Sequence, residues 1–427
     1  PDLLTWVFRL RPGVRFHDGS PLAAEDVAAS LRRLLTDERL EMRSYLSGVA
    51  EATTRGPDTV VVRTRRPNAQ LASRLHFVLI VPRGSTAESL ARRANGTGPY
   101  AVAGWAPSSL TLQRNPSYWG DPPGVSRVRL DLGVGSAAAA EAIRESRYDV
   151  LDGTRKAEEA ARRNGRYRVV EQENIFLRHL AFDVSRERTP FCPGTTNPFR
   201  KREVREAVSL ALDRDRLATT AGTGARPAEQ LVPQAVFGHD RTRPPLQRDP
   251  ARARALLVRA GFPRGFDVVL HRSGFSTAAE MVKAQLAEIG IRVRVEALPS
   301  TAFFEALDQR RLSFWIVASG CPTGDGLELL ETSFHSPGPG GLGVDNYGDY
   351  RSPALDRGIL EAGALFDLRT RQAAVQGLLA RVLEDRVWIP LYHDRGALVV
   401  AKEWRYEPRA DGYLRVPDIR PAPAASR

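Results

Sequence analysis

A chain of 427 residues, 42% of them hydrophobic, is long enough to close two or three cores, yet no apolar run approaches the roughly 18 residues that crossing a bilayer needs. A formal net charge of +12 and a pI near 10.2 admit nucleic acid, an anionic membrane surface or acidic ligands as partners. The basic residues are scattered arginines, with only Lys156, Lys201, Lys283 and Lys402 as lysines and no long block of like charge, which fits a solvated surface and a coding bias better than a polyanion patch.

From the amino terminus, Trp6 to Leu10 alternates as a strand, Arg11-Pro12-Gly13 turns it, and Val14 and Phe16 begin a second short strand ending in a His17-Asp18-Gly19 turn. Ser20-Pro21 then offers a cap for a helix to about Leu35. Its Val27, Leu31, Leu34 and Leu35 share one stripe, and Glu25 and Asp26 sit in the first turn, where the helix dipole favours acids. His17 reads as a satisfied turn residue before it reads as a catalytic base. Ala50 to Arg65 gives a hairpin-like strand pair, and Leu75 to Val81 an apolar strand stopped by Pro82. In Asn95 to Gly120, Gly96 and Gly98 offer unusual backbone angles, Pro99 sets an extended exit, and Tyr100 to Arg114 folds as a hairpin about Pro107-Ser108-Ser109. Tyr118 and Trp119 follow as an aromatic plug.

Arg127 to Leu132 is a strand, Gly133-Val-Gly135-Ser-Ala-Ala138 fits G-x-G-x-x-A, a helix runs to about Glu145, and Tyr148 to Leu151 is a strand ending at Asp152. A dinucleotide site would have this order; so would a plain βαβ unit with a glycine turn, which the lack of any proton-relay constellation favours. No lysine precedes Ser or Thr as a phosphate loop requires, and G-x-S-x-G and H-E-x-x-H are absent. Catalytic and metal-ligating residues are therefore assigned to none, and no cofactor is expected. Cys192 and Cys321 do not form C-x-x-C, and each precedes a proline in a loop, so the pair is a candidate disulfide if the protein is exported.

A second lobe opens with the apolar strand Ile175 to Phe182. Thr189 to Asn197 is a Pro- and Gly-rich loop, Arg202 to Leu217 a helix with Val204, Ala207, Val208, Ala211 and Leu212 on one face, and Asp249 to Gly261 another helix. Strand Phe266 to Leu270, helix Thr277 to Ile289, strand Ile291 to Val295, helix Ser300 to Gln309 with Phe303, Phe304 and Leu307 inward, and strand Ser313 to Ala318 then alternate, which implies a mainly parallel, covered sheet. Ligands of such sheets bind beyond the carboxyl ends of strands, so the loop Ser319 to Gly326 should face the binding cleft. Its glycines admit a ligand, with Thr323 and Gly324 beside it, and Asp325 is its one carboxylate; it reads as a ligand anchor or as a loop cap. Asn346 and Tyr347 read equally as cleft or turn residues. Helices to Gly363 and from Arg369 to Glu384, strand Val387 to Tyr392 and a returning strand Leu398 to Ala401 complete the chain, with a disordered tail from Ala422 to Arg427.

Several of these stretches carry a resemblance. NGTGPY with RNPSYWG near residues 95–120, WVFRLRPGVRFHDGSPLAAEDV from Trp6, and the block Asn197 to Leu217 are similar to three ordered signatures of the family 5 extracellular solute-binding proteins, the dipeptide, oligopeptide and nickel receptors of ABC importers. Asp249 to Gly265, Leu286 to Val295, Asn346 to Asp356 and Ile389 to Tyr392 extend the likeness over nearly the whole chain. It implies an α/β, two-lobed periplasmic-binding-protein-like fold of type II, the large three-subdomain variety, truncated at its amino terminus. Residues 1–93 would form a subdomain of lobe 1, 94–176 with 396–427 its main part, and 177–395 lobe 2.

It also implies capture of a small solute, a di- or oligopeptide, between lobes whose closure an ABC permease reads, in the periplasm or extracellular space. Membrane contact would come only through the permease or a lost lipid anchor, with a monomeric protein and no nucleic acid. Asp325 matches an acid of one branch of the family that anchors the ligand's amino group; the usual aromatic is missing at Ser319 and Gly320. The alternative use of the same lobes is the solute sensor of a transcription regulator, with an NAD-dependent enzyme third.

Overall fold

The computed structural model describes residues 2–37, 39–172, 174–194, 196–221, 224–274 and 276–423, and the chain divides into two units, Pro1–Gln172 with Gly396–Arg427, and Glu173–Arg395. Part of the expected disordered tail, residues 424–427, lies outside the described residues, as does Thr195 of the Thr189 to Asn197 loop; Ala422 is held by a bond from its N–H to Glu403 O (2.8 Å).

In the first unit Thr5–Arg9 pairs antiparallel with Thr59–Thr64, which pairs with Val49–Thr54. The β-branched Val49, Val60 and Val62 are buried with Ala24 and Leu31 of the helix Ala24–Thr36. That helix begins later than Ser20-Pro21 suggests, because Pro21 bridges Arg15 while Asp26 Oδ2 takes the Ala23 N–H at 2.8 Å. Leu75 to Val81 is not a strand. Leu71–Leu75 is a short helix, and Ser30 Oγ accepts the Val81 N–H at 3.1 Å, so a side chain replaces the ladder there.

The His17 turn docks on Asn95 to Gly98. Gly96 N–H donates to His17 Nδ1 at 3.3 Å, which leaves Nε2 protonated to donate to Gly98 O at 3.1 Å, and Asn95 Nδ2 donates to Asp18 Oδ2 at 2.7 Å. Both ring nitrogens are thereby used. Neither Gly96 nor Gly98 has a positive φ; Gly96 serves through its N–H and through its carbonyl, which accepts the His17 N–H at 2.9 Å.

Tyr100–Ala106, Ser109–Arg114 and Arg127–Asp131 form an antiparallel meander. The next strand, Val150–Asp152, belongs to a different sheet, at whose centre lies the returning strand Gly396–Ala401 with Tyr167–Gln172 beyond. The expected βαβ unit is thus corrected: the Gly133 turn joins two sheets, and the parallel neighbours that a dinucleotide site needs are missing. Gly396–Ala401 buries Val399 and Ala401 with Ile143 on one face and Leu398 and Val400 with Tyr406 on the other.

The second unit is built on six strands in the order Arg226–Pro227, Trp388–His393, Leu177–Phe182, Phe314–Ser319, Phe266–Ser273, Ile291–Leu298. The sheet is mixed. Phe266–Ser273 runs parallel to Ile291–Leu298 and Phe314–Ser319, as their helical crossovers require, whereas Leu177–Phe182 is antiparallel to both its neighbours. The rings of Phe182, Phe199 and Phe314 meet at centroid distances of 4.6 to 5.4 Å in its core. Asn197 positions Phe199, donating to Asp183 O and Arg186 O at 3.0 Å while accepting the Phe199 N–H at 3.0 Å.

Not every arginine is surface. Arg205 Nη2 donates to Asp385 O at 2.6 Å, at the end of the helix Leu368–Asp385, and Arg214 Nε to Pro390 O at 2.8 Å; burial lowers their pKa values to about 10 and about 9, so both remain cations at neutral pH. Phe303 is buried as expected, but Phe304 is 45% exposed.

Cys192 and Cys321 are free thiols, which corrects the disulfide. Phe191, beside Cys192, accepts the Val269 N–H on the Phe266–Ser273 strand, whereas Cys321 follows the end of Phe314–Ser319 and its carbonyl accepts the Gly324 N–H. Both are buried, and burial pushes the Cys192 thiol up to about 11 and the Cys321 thiol well up. Titration with a thiol reagent should therefore find little reaction in the native protein and two thiols after denaturation; one disulfide and no thiol would overturn this arrangement.

Burial also keeps His179 and His393 neutral, lowering their pKa values to about 3 and about 4 from 6.5. Below the unfolded value the unfolded chain binds more protons than the fold. Stability should be full above about pH 6.5 and fall as pH drops toward 4, by up to about 1.4 kcal/mol per pH unit for each group. Asp345, whose carboxyl burial pushes up, acts in the opposite sense. Denaturant midpoints from about pH 7.5 to about 4.5 check this, and a flat profile would mean that neither imidazole is buried neutral.

Candidate functional site

The loop after Phe314–Ser319 is organised by its carboxylate. Asp325 is 7% exposed; its Oδ1 accepts the Leu327 N–H at 3.0 Å to cap the short helix Gly326–Leu329, and its Oδ2 accepts Arg371 Nη1 at 2.6 Å. Arg371 in turn lies 4.5 Å from the centroid of the Phe237 ring. Thr323 donates from N and Oγ1 to Glu328 Oε2 at 2.9 and 2.6 Å, and Gly324, at φ +74°, accepts the Phe237 N–H at 2.9 Å. Asn346, 4% exposed, donates to His335 O and Tyr350 O at 3.0 and 2.7 Å. Thr323, Gly324, Asp325 and Asn346 therefore hold backbone in place, and the carboxylate nominated as ligand anchor already has its cation.

Tyr347 is differently placed. It lines a pocket of about 200 Å³ within the second unit, at the carboxyl end of Phe314–Ser319, together with Phe176, Phe304, Trp315 and Trp388. Strand alternation and the exposed flank of the helix Ser300–Asp308 deliver these rings. Gly320 is needed here, since a Cβ would meet Phe176 Cδ1 at 2.9 Å; the ring from the start of the sheet occupies the place where the loop lacks an aromatic of its own. At the pocket wall His179 stacks on Trp388, with centroids 3.7 Å apart.

The pocket's one carboxylate is Asp345. Its Oδ1 accepts from Tyr347 Oη at 3.2 Å, and its N–H donates to Thr332 O at 2.8 Å, while no lysine or arginine pairs with it among the described residues. Burial, and after it the nearby Asp308, raise its pKa, against the hydroxyl bonds from Tyr347 and Thr332. The sequence reading stopped one residue short of Asp345. Its signal is its place two residues before Tyr347; nothing local separates it from Asp325.

Asp325→Asn keeps the shape but leaves Arg371 as an unpaired buried charge, so it should cost about 3–5 kcal/mol of stability. Denaturant unfolding would read this, and a loss below about 1 kcal/mol would return Asp325 to the ligand.

The profile of the bacterial extracellular solute-binding proteins, family 5 Middle, matches residues 1–341. The chain is 26% identical over 413 residues to the glutathione-binding protein GsiB of Pectobacterium atrosepticum, covering 91% of this chain and 76% of that protein. It is 28% identical over 435 residues to protein XP55 of Streptomyces lividans, covering 94% and 76%. Among solved structures, the ABC transporter-associated periplasmic binding protein DppA of Helicobacter pylori, in complex with the peptide STSA, superposes with a TM-score of 0.83 at 19% identity over 99% of this chain and 87% of that one. The fold is that of a periplasmic binding protein, and the chain belongs to the bacterial extracellular solute-binding proteins, family 5.

Proposed function

We propose that this protein is the capture subunit of an ABC importer that binds a peptide-like solute outside the cytoplasm and hands it to permease subunits. The observation that carries the reading is the aromatic pocket at the end of Phe314–Ser319. Five rings desolvate a ligand while Asp345 and neighbouring hydroxyls offer few, directional polar contacts, the composition of a binding pocket. Nothing in it resembles a nucleophile with its base, and membership of a solute-binding family supports binding without turnover. Relatives named for glutathione and a neighbour solved with a tetrapeptide make short peptides the first ligands to try.

A panel of di- to pentapeptides should raise the melting temperature, by the equivalent of about 2.7 kcal/mol at a hundredfold excess over Kd, with each peptide recovered intact by mass spectrometry. Absence of any shift across the panel, or appearance of cleavage products, would overturn the proposal.

A further inference from the structure

We propose that Asn95 is a self-modification site: the amide nitrogen of Gly96 closes on the Asn95 side chain, with His17 as its base, and the asparagine becomes aspartate or isoaspartate. The chemistry lies in the first unit and does not depend on which solute the protein captures. A glycine after asparagine leaves the attacking nitrogen unshielded, and the two groups are neighbours in the chain, so the reaction is intramolecular. Asparagine is accordingly among the thermolabile residues. The chain has two such pairs, Asn95-Gly96 and Asn164-Gly165, and the fold treats them differently.

At Asn95 each reacting atom has a partner. The Gly96 N–H donates to the unprotonated His17 Nδ1 at 3.3 Å, which puts a base on the nucleophile. Asn95 Oδ1 accepts the Asp18 N–H at 3.3 Å, a donor where negative charge develops, and Nδ2, the leaving nitrogen, donates to Asp18 Oδ2 at 2.7 Å. Asn95 and Gly96 are half-buried, so water reaches them. Asn164 instead serves the fold: its Nδ2 donates to Ile143 O and Ser146 Oγ at 2.8 and 3.2 Å, its Oδ1 accepts the Arg166 N–H at 3.0 Å, and no imidazole bonds to Gly165 among the described residues. The step balances without a cofactor. A bond forms between Gly96 N and Asn95 Cγ while the Cγ–Nδ2 bond breaks; the proton that His17 takes from Gly96 leaves with ammonia, and water opens the cyclic imide at one of its two carbonyls. The aspartate product sets a carboxylate where the Nδ2 donor faced Asp18, and the isoaspartate product lengthens the backbone, so either one undoes the contact that docks the His17 turn.

Folded protein and protein unfolded in guanidinium chloride should be incubated at one pH and the peptides that hold Asn95 and Asn164 followed by mass spectrometry, with isoaspartate scored separately. His17 and Gly96 are 79 residues apart in sequence, so unfolding removes the base and leaves the Asn-Gly pair intact. Asn95 should convert about tenfold faster folded than unfolded, within the gain of about 10²–10⁴ that a positioned base can give, while Asn164 converts more slowly folded than unfolded. Gly96→Ala keeps the N–H, meets nothing closer than His17 Cε1 at 3.8 Å and needs no positive φ, so it should fold and slow Asn95 by about tenfold through hindrance at the nucleophile. His17→Gln should bring Asn95 down to its unfolded rate or below and leave Asn164 unmoved. Conversion of Asn95 no faster folded than unfolded, or a folded rate indifferent to His17→Gln, would overturn the inference. Should His17→Gln not fold, the comparison of folded and unfolded parent decides.

Discussion

A carboxylate that leaves water must find a cation, and the Asp325–Arg371 pair is where this protein meets that demand most visibly. The 2.6 Å contact joins the loop after Phe314–Ser319 to the helix Leu368–Asp385, and the ring of Phe237 brings a third stretch of the second unit against the guanidinium. Backbone bonds follow from the same junction. Phe237 N–H donates to Gly324 O, Gly326 N–H to Phe237 O, and Gln376 Nε2 to His239 O at 2.9 Å. Phe237 lies under Arg371, so the guanidinium is held by charge on one side and by a ring on another. Take the pair away and the loop and the helix each lose the partner of a buried charged group.

With that carboxylate committed, Asp345 is the one acidic side chain that lines the pocket. The protein carries +12 overall, yet no basic side chain lines the pocket. Net charge and local potential are independent quantities; the first is set by arginines over the whole chain, the second by what stands within a few ångströms. Several arginines act inward in any case, Arg205 and Arg214 binding the carbonyl oxygens of Asp385 and Pro390, so the composition describes folding chemistry as much as surface.

Local pattern was legible where local rules decide. The hairpin at Tyr100 to Arg114, the helix Thr277–Ala287 and the strands of the crossover region follow from period and turn chemistry, and the structure places them within a few residues, whereas the helix expected over Arg202 to Leu217 is broken into Arg202–Ala211 and Arg214–Ala221. The failures have one cause in common. Leu75 to Val81 looked like a strand because it is apolar, but a strand is defined by its partner, and here the partner is Ser30 on a helix. The glycine turn at Gly133 reads as part of a βαβ unit because pattern cannot say whether the flanking strands share a sheet. Asp325 reads as a ligand anchor because its partner Arg371 lies 46 residues away in sequence. Fold-level pairing, sheet membership and charge pairing are non-local, and one sequence carries no record of them.

The same non-locality explains the arrangement around Gly320. The loop has no aromatic of its own, yet Phe176 takes that position because no Cβ stands at Gly320. The aromatic wall is assembled from a residue before Leu177–Phe182, two from strands, one from a helix flank and one from a turn, so no single stretch of sequence carries a recognisable motif for it. Rings alone would accept any apolar group; Asp345, its carboxyl pushed up by burial, adds the one acidic side chain that lines the pocket.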